Sequence, residues 1–215
     1  MKRRIVCFGD SNTWGYDAKT MERFPEGVRW TSLLAEWLGE KFQIVEEGLP
    51  GRTSVVEDPL LEGVNGYTYI HPCLMSHAPI ELVIIMLGTN DTKERFNLTA
   101  FNIAQGIARL SLKAKNTSAG IKGKSPNVLV IAPPPIGKEY DGIVGKSMGR
   151  DCDRKSEELP KYLKELIGIQ GTEFLNTNGL VSMNTIDYMH LDGKGHNLLA
   201  TLVYEKIKSI LSGNK

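Results

Sequence analysis

Apolar residues along the chain fall into two kinds of run: short unbroken ones, and longer ones spaced three and four residues apart. The first kind opens with Arg4-Ile5-Val6-Cys7-Phe8, which reads as a buried strand stopping abruptly at the turn-forming Gly9-Asp10-Ser11-Asn12. Leu82-Val83-Ile84-Ile85-Met86-Leu87 is apolar at every position, the pattern of a strand covered on both faces in a parallel sheet. Residues 42–46, residues 128–132 and the pair Phe174-Leu175 give three more strands. The second kind begins over 29–38, where Trp30, Leu33, Leu34, Trp37 and Leu38 have helical spacing and Gly39 supplies a stop. Helices are likewise expected over 100–112 and over 150–166, the latter with a kink or restart at Pro160. A closing helix carries the stripe Leu198, Leu199, Leu202, Val203, Ile207, Ile210 and Leu211. The pattern is weakest over 63–78, where a helix is expected at 69–77 with Pro72 near its first turn. Residues 113–127, rich in Lys, Gly, Ser and Asn, read as an exposed loop.

Strands alternating with helices predict a three-layer α/β/α sandwich on a five-stranded, mostly parallel sheet, with right-handed crossovers placing helices on both faces. The 215 residues fit one domain over 1–215, and 41% apolar content is enough for a substantial core. A net charge of +1 gives no electrostatic case for nucleic acid or an anionic membrane, and no apolar stretch approaches spanning length. The first apolar run is too short for a signal-peptide core, so no secretory leader is expected. Cys7, Cys73 and Cys152 are odd in number, far apart and in no CxxC pair. Neither a disulfide framework nor a zinc site is expected, and a reducing cytoplasm is the simplest home.

The candidate chemistry sits where strands end. Ser11 lies just past the first strand, Gly51 a few residues past the second and Asn90 a few past the third. In a parallel sheet these loops emerge on one edge, where open α/β sheets bind ligands. A serine hydroxyl becomes a useful nucleophile only when a neighbouring base takes its proton. Of the four histidines, His71 and His77 read as structural or surface residues, and His196 as a packing or capping residue at the start of the closing helix. His190 lies in a loop with Asp187 three residues before it; that carboxylate can accept the Nδ1 proton and leave Nε2 facing a serine. Asp192 is the other carboxylate near it, read as local structure. Backbone N–H groups of Ser11 and Gly51 and the side-chain amide of Asn90 suit a developing oxyanion. Trp14 and Tyr16 fit either a wall of the substrate pocket or helix-to-sheet packing. Two other chemistries fit the same edge. Asp10, Asp91, Asp187 and His190 are a possible ligand set for a metal-dependent phosphohydrolase, and Ser11-Asn12-Thr13 a phosphate loop for a nucleotide- or flavin-binding module.

The four blocks Gly9-Asp10-Ser11-Asn12, Gly51, Gly88-Thr89-Asn90-Asp91 and Asp187-Tyr188-Met189-His190 occur in the order of the SGNH (GDSL) hydrolases and resemble them across nearly the whole chain. The wider stretches 7–15 and 83–93 look like the arylesterase and acyltransferase subgroup. The resemblance implies a flavodoxin-like sandwich, Ser11 as nucleophile, His190 as base, Asp187 as its orienter, and an oxyanion hole from Ser11, Gly51 and Asn90. It implies a serine esterase for small acyl or aryl esters, sugar acetates among them, with water or an alcohol as acyl acceptor. It implies no metal or organic cofactor, and a homo-oligomer, for which 113–127 and 134–149 are the contact segments to expect. The GxSxG elbow of the α/β-hydrolases is absent, so their lid and pocket do not transfer.

Overall fold

The structure is a computed structural model and describes residues 2–142 and 144–212. Residue 143, inside the 134–149 contact segment named above, lies outside the described residues. The chain runs β1 (Arg3–Gly9), α1 (Ser11–Trp14), α2 (Trp30–Leu38), β2 (Phe42–Gly48), α3 (Gly66–His77), β3 (Ile80–Met86) and α4 (Ala100–Lys115). It continues through β4 (Asn127–Ala132), α5 (Gly145–Met148), α6 (Cys152–Ile169), β5 (Glu173–Asn176) and α7 (Gly193–Ser212). The five strands form one sheet in the order β2-β1-β3-β4-β5, and every neighbouring pair is parallel.

Strand alternation sends side chains to the two faces in turn. Val6, Phe8, Val83, Ile85 and Val130 pack under α3, α4 and α6, against Ile70, Leu74, Ile103, Ile107, Leu159 and Leu163. Ile5, Cys7, Leu82, Ile84 and Leu129 pack on the opposite face against Trp30 and Leu34 of α2 and Leu199 and Val203 of α7. Both faces of the central strands are therefore covered, which is why β3 shows no polar alternation. The strand order reverses between β1 and β3, and the loops leaving these strands open a crevice at their carboxyl ends.

Three stretches depart from the pattern reading. Helix α3 begins at Gly66 rather than at residue 69, because the Asn65 side chain accepts hydrogen bonds from the amides of Tyr67 and Thr68 and caps it. Pro72 thus sits inside the helix, past its first turn. Residues 113–127 are not a plain exposed loop. Helix α4 continues through Lys115, whose ammonium donates to Gln170 O at 2.7 Å while that of Lys113 donates to Tyr67 O at 2.6 Å. Beyond it, Ala119 is fully buried and its carbonyl accepts the Ile80 amide at 2.8 Å. Helix α6 runs unbroken through Pro160, which is itself buried, with Leu159, Leu163 and Ile167 holding it on the sheet. Tertiary packing there outweighs one missing backbone donor.

Candidate active site

Ser11 occupies the first position of α1, directly after the end of β1. The Asp10 side chain caps that turn by accepting the Asn12 amide at 2.9 Å. Burial pushes the Asp10 carboxyl up to about 6, against the Asn12 hydrogen bond, and its Oδ2 has no partner among the described residues. The other end of the turn closes on Gly15, whose amide donates to Ser11 O at 2.8 Å. The serine hydroxyl is held at the sheet rim on a helix of four residues capped by Asp10 and Gly15.

The loop before α7 brings a histidine to it. Nε2 of His190 lies 2.9 Å from Ser11 Oγ, and Nδ1 lies 2.6 Å from Asp187 Oδ2. The other carboxylate oxygen, Oδ1, accepts the Met189 and His190 amides, each at 3.1 Å, and the Asn184 side-chain amide at 3.0 Å. Burial alone would raise this carboxyl; the His190 hydrogen bond and charge, the Met189 amide and Asn184 outweigh it and hold Asp187 below its ordinary range. Asp187 is therefore an ionised acceptor. The Tyr16 ring stands 4.5 Å from the His190 ring, centroid to centroid, and lines the cleft, whereas Trp14 lies under the Arg23 guanidinium away from it. Asp192 accepts the Gly195 amide at 2.7 Å, a helix-start role. His196 is fully buried, its Nδ1 accepting the Trp30 amide at 3.3 Å, and burial pushes it down to about 4.

Gly51 and Asn90 line the same cleft as Ser11 and His190. Gly51 has φ +84°, a backbone conformation that favours glycine, while a Cβ there would meet only the end of the exposed Leu61 side chain at 2.8 Å, which can move aside. Asn90 Nδ2 donates to Arg52 O at 3.2 Å, which uses one amide hydrogen and leaves the other. Next to it, the buried Asp91 carboxylate accepts the Ser54 amide at 2.9 Å and the Ser54 hydroxyl at 2.5 Å. The third-strand loop thus holds the second-strand loop at two points. Arg52 ties the second-strand loop to the end of β1 as well, by donating to Gly9 O at 2.9 Å.

All five residues picked from sequence meet at one rim. Missed were the groups that hold them. Asn12 grips both sides of His190: its Nδ2 donates to Met189 O at 3.1 Å and its Oδ1 accepts the Leu191 amide at 2.9 Å. Trp30 Nε1 in turn donates to Asn12 O at 3.1 Å. These bonds span up to 179 positions, and no local pattern announces them.

The rival ligand set does not assemble. Asp91 is taken by Ser54 and Asp187 by His190 and Asn184. Among the described residues, the metal-capable side chains that do approach one another are Glu47, Cys73 and His77, within 4.8 Å, and there Glu47 already accepts from or bonds to His77 Nε2 at 2.8 Å beside the Arg52 guanidinium. The phosphate-loop reading fares no better, since the Asp10 carboxyl already occupies the Asn12 amide.

A parallel α/β/α sandwich with serine, histidine and aspartate hydrogen-bonded in series at its carboxyl rim defines the class. The chain belongs to the GDSL-like lipase/acylhydrolase family, whose sequence model matches residues 7–198, and it is a carboxylic ester hydrolase. Among solved structures it is similar to Est24, a carbohydrate acetylesterase from Sinorhizobium meliloti, with 37% identity, TM-score 0.90, and 97% of this chain and 100% of that one covered. It is similar also to an aryl esterase from M. smegmatis, with 34% identity, TM-score 0.89, and coverage of 96% and 99%. A carbohydrate acetylesterase family member from Sinorhizobium meliloti gives 29% identity, TM-score 0.91, and coverage of 98% and 99%. No curated protein matches the chain in sequence. No helix among the described residues is long and apolar enough to cross a membrane.

Proposed function

We propose that Ser11 is the nucleophile of a serine esterase acting on small acyl or aryl esters, with 1–215 as one hydrolase domain. His190 accepts the Ser11 proton through Nε2 while the Ser11 oxygen attacks the ester carbonyl. Asp187 holds the imidazole by Nδ1 and stabilises its protonated form. The tetrahedral oxyanion lies among the Ser11 and Gly51 amides and the remaining Asn90 amide hydrogen. His190 then gives its proton to the departing alcohol, and water, or a second alcohol, resolves the acyl-enzyme with the imidazole again as base. The observation that carries this reading is the unbroken pair of contacts, 2.6 Å from Asp187 to His190 and 2.9 Å from His190 to Ser11. The carbohydrate acetylesterase and aryl esterase likenesses support short acyl chains on a sugar or aryl alcohol.

Intact mass after treatment with an alkyl fluorophosphonate tests it. One adduct is expected on the protein, mapped to Ser11 and absent from Ser11→Ala. An adduct that persists in Ser11→Ala, or an active Ser11→Ala enzyme, removes the reading. Asn90→Ala is expected to lose roughly two to three powers of ten in turnover with a smaller change in KM, the size seen for a lost oxyanion donor.

A further inference from the structure

The cleft beside Ser11 and His190 has a volume of about 480 Å³, and its remaining wall divides by chemistry. One part is apolar, with Pro50, Leu60, Leu61 and Met148. The other carries Lys93, Arg95 and Lys146. The carboxylate bonded to this group is that of Asp58, which is fully buried behind it and bridges Lys93 at 3.2 Å and Arg95 at 2.6 Å. Burial would raise that carboxyl, but the bonds from Arg95, the Leu60 amide and Lys93 hold it at about 2, so it is ionised. Three cations against the bonded Asp58 and the more distant buried Asp91 leave this wall net positive.

Lys93 is the unusual member. Its side chain is only 7% exposed, and its ammonium makes one hydrogen bond among the described residues, to Asp58. An ammonium has three donors, so two remain in a place where water is scarce. Burial and the neighbouring Arg95 push Lys93 below its ordinary range, and Asp58, with a smaller contribution from Asp91, compensates only in part. Arg95, by contrast, has each of its three nitrogens engaged, two by Asp58 and one by Ser147 O. Lys146 is exposed and stands free to follow a ligand. Spare donors on a half-compensated cation, next to an apolar wall, fit an oxygen anion on an otherwise apolar molecule.

We infer that the preferred ester carries a carboxylate on an otherwise apolar alcohol part, which Lys93 and Lys146 bind while the apolar part lies along Leu60, Leu61 and Met148. This rests on the proposed esterase reading of the same cleft and narrows its substrate class. The charge is recognised beyond the ester bond, so it adds no step to the hydrolysis.

Three acetates of nearly equal size test it on the full chain: 4-(carboxymethyl)phenyl, 4-ethylphenyl and 4-(trimethylammoniomethyl)phenyl acetate. Each kcat/KM is divided by that ester's rate with hydroxide, which removes leaving-group differences. At low salt the anionic ester is expected to exceed the cationic one by roughly tenfold, the scale of one to two charges several ångströms away in a half-solvated cleft. The ratio should shrink with added salt, in Lys146→Met, and more strongly in Lys93→Met. A wild-type ratio near one, or one favouring the cation, overturns the inference while hydrolysis of the neutral ester keeps the esterase reading intact. A preference unchanged in both variants overturns the assignment to these lysines; Lys146 is exposed, so that variant is readable even if Lys93→Met folds poorly. Failure to hydrolyse any of the three overturns the esterase reading and the inference with it.

Discussion

At the scale of single residues, the loop that carries His190 is tied down by a side chain outside the candidate triad. Asn12 follows the serine directly and bonds the backbone on either side of His190, so it ties the first strand's turn to the last loop. Asn12→Ala removes both bonds and leaves the Met189 carbonyl and the Leu191 amide unsatisfied in a buried place. The imidazole is then free to drift, and a displacement of about 1 Å costs on the order of a hundredfold in turnover. The expected signature of a positioning residue is a kcat lowered on the order of tenfold to a hundredfold with KM little changed, and labelling of Ser11 by a fluorophosphonate slowed in parallel. Asn12→Asp tests the geometry further, because a carboxylate still accepts from Leu191 but repels the Met189 carbonyl. An Asn12→Ala enzyme with wild-type kcat and labelling rate would show that Asn184 and Asp187 hold the loop unaided.

At the scale of elements, the turn from β1 into α1 is packed without slack. A Cβ added to Gly9 would stand 2.1 Å from Thr13 Oγ1 and 2.8 Å from Met86 O, and the second of these is backbone of the neighbouring strand. Gly9→Ala must therefore push α1 off the sheet. Overpacking of this kind costs typically 1–3 kcal/mol, about that much in urea unfolding, and activity should fall as well, because Ser11 rides on the displaced turn. A variant as stable and active as wild type would show that the turn has room the packing does not display. The long elements were legible for simple reasons: β3 is a solid apolar run, and α7 repeats its stripe over nearly four turns. The short or interrupted ones were not. Helix α3 carries a proline and a weak stripe, and its start is decided by an Asn65 cap. Helix α6 keeps going past Pro160 because its apolar side is anchored on the sheet. Local propensity is a small term, and burial decided against it in both places.

At the scale of the whole molecule, two buried groups set opposite pH dependences of stability. His196 titrates near 4 in the fold against an ordinary 6.5, so below pH 6.5 the unfolded chain takes up the proton first. Its contribution to stability is present above about 6.5 and is lost as pH falls toward 4. Asp10 titrates near 6 in the fold against an ordinary 3.8, so the folded chain holds the extra proton in between. Its contribution is present below about 3.8 and is lost as pH rises through 6. Each is worth about 3 kcal/mol across its window, so the two largely cancel between pH 4 and 6. Asp10→Asn keeps an acceptor for the Asn12 amide and removes one of the two slopes. Urea unfolding from pH 7 to 4 should show this variant losing stability relative to wild type by about 3 kcal/mol. Curves that stay parallel over that range would mean that Asp10 is already ionised in the fold.

The amino-acid sequence by itself determined the layers and the chemistry on offer. Periodicity is a local property, so strands, helices and their alternation are written in it, and so is the placing of Ser11, Gly51, Asn90 and the Asp187–His190 pair at element ends. What only the tertiary structure decided is which groups hold these in register. Asn12 beneath His190, Ser54 on Asp91, and the Asp58 carboxylate behind Lys93 and Arg95 are contacts between loops at least 35 positions apart. Hydrogen bonds and ion pairs act over about 3 Å of space whatever the chain separation, and a linear pattern carries no record of them until the sheet brings its loops to one edge.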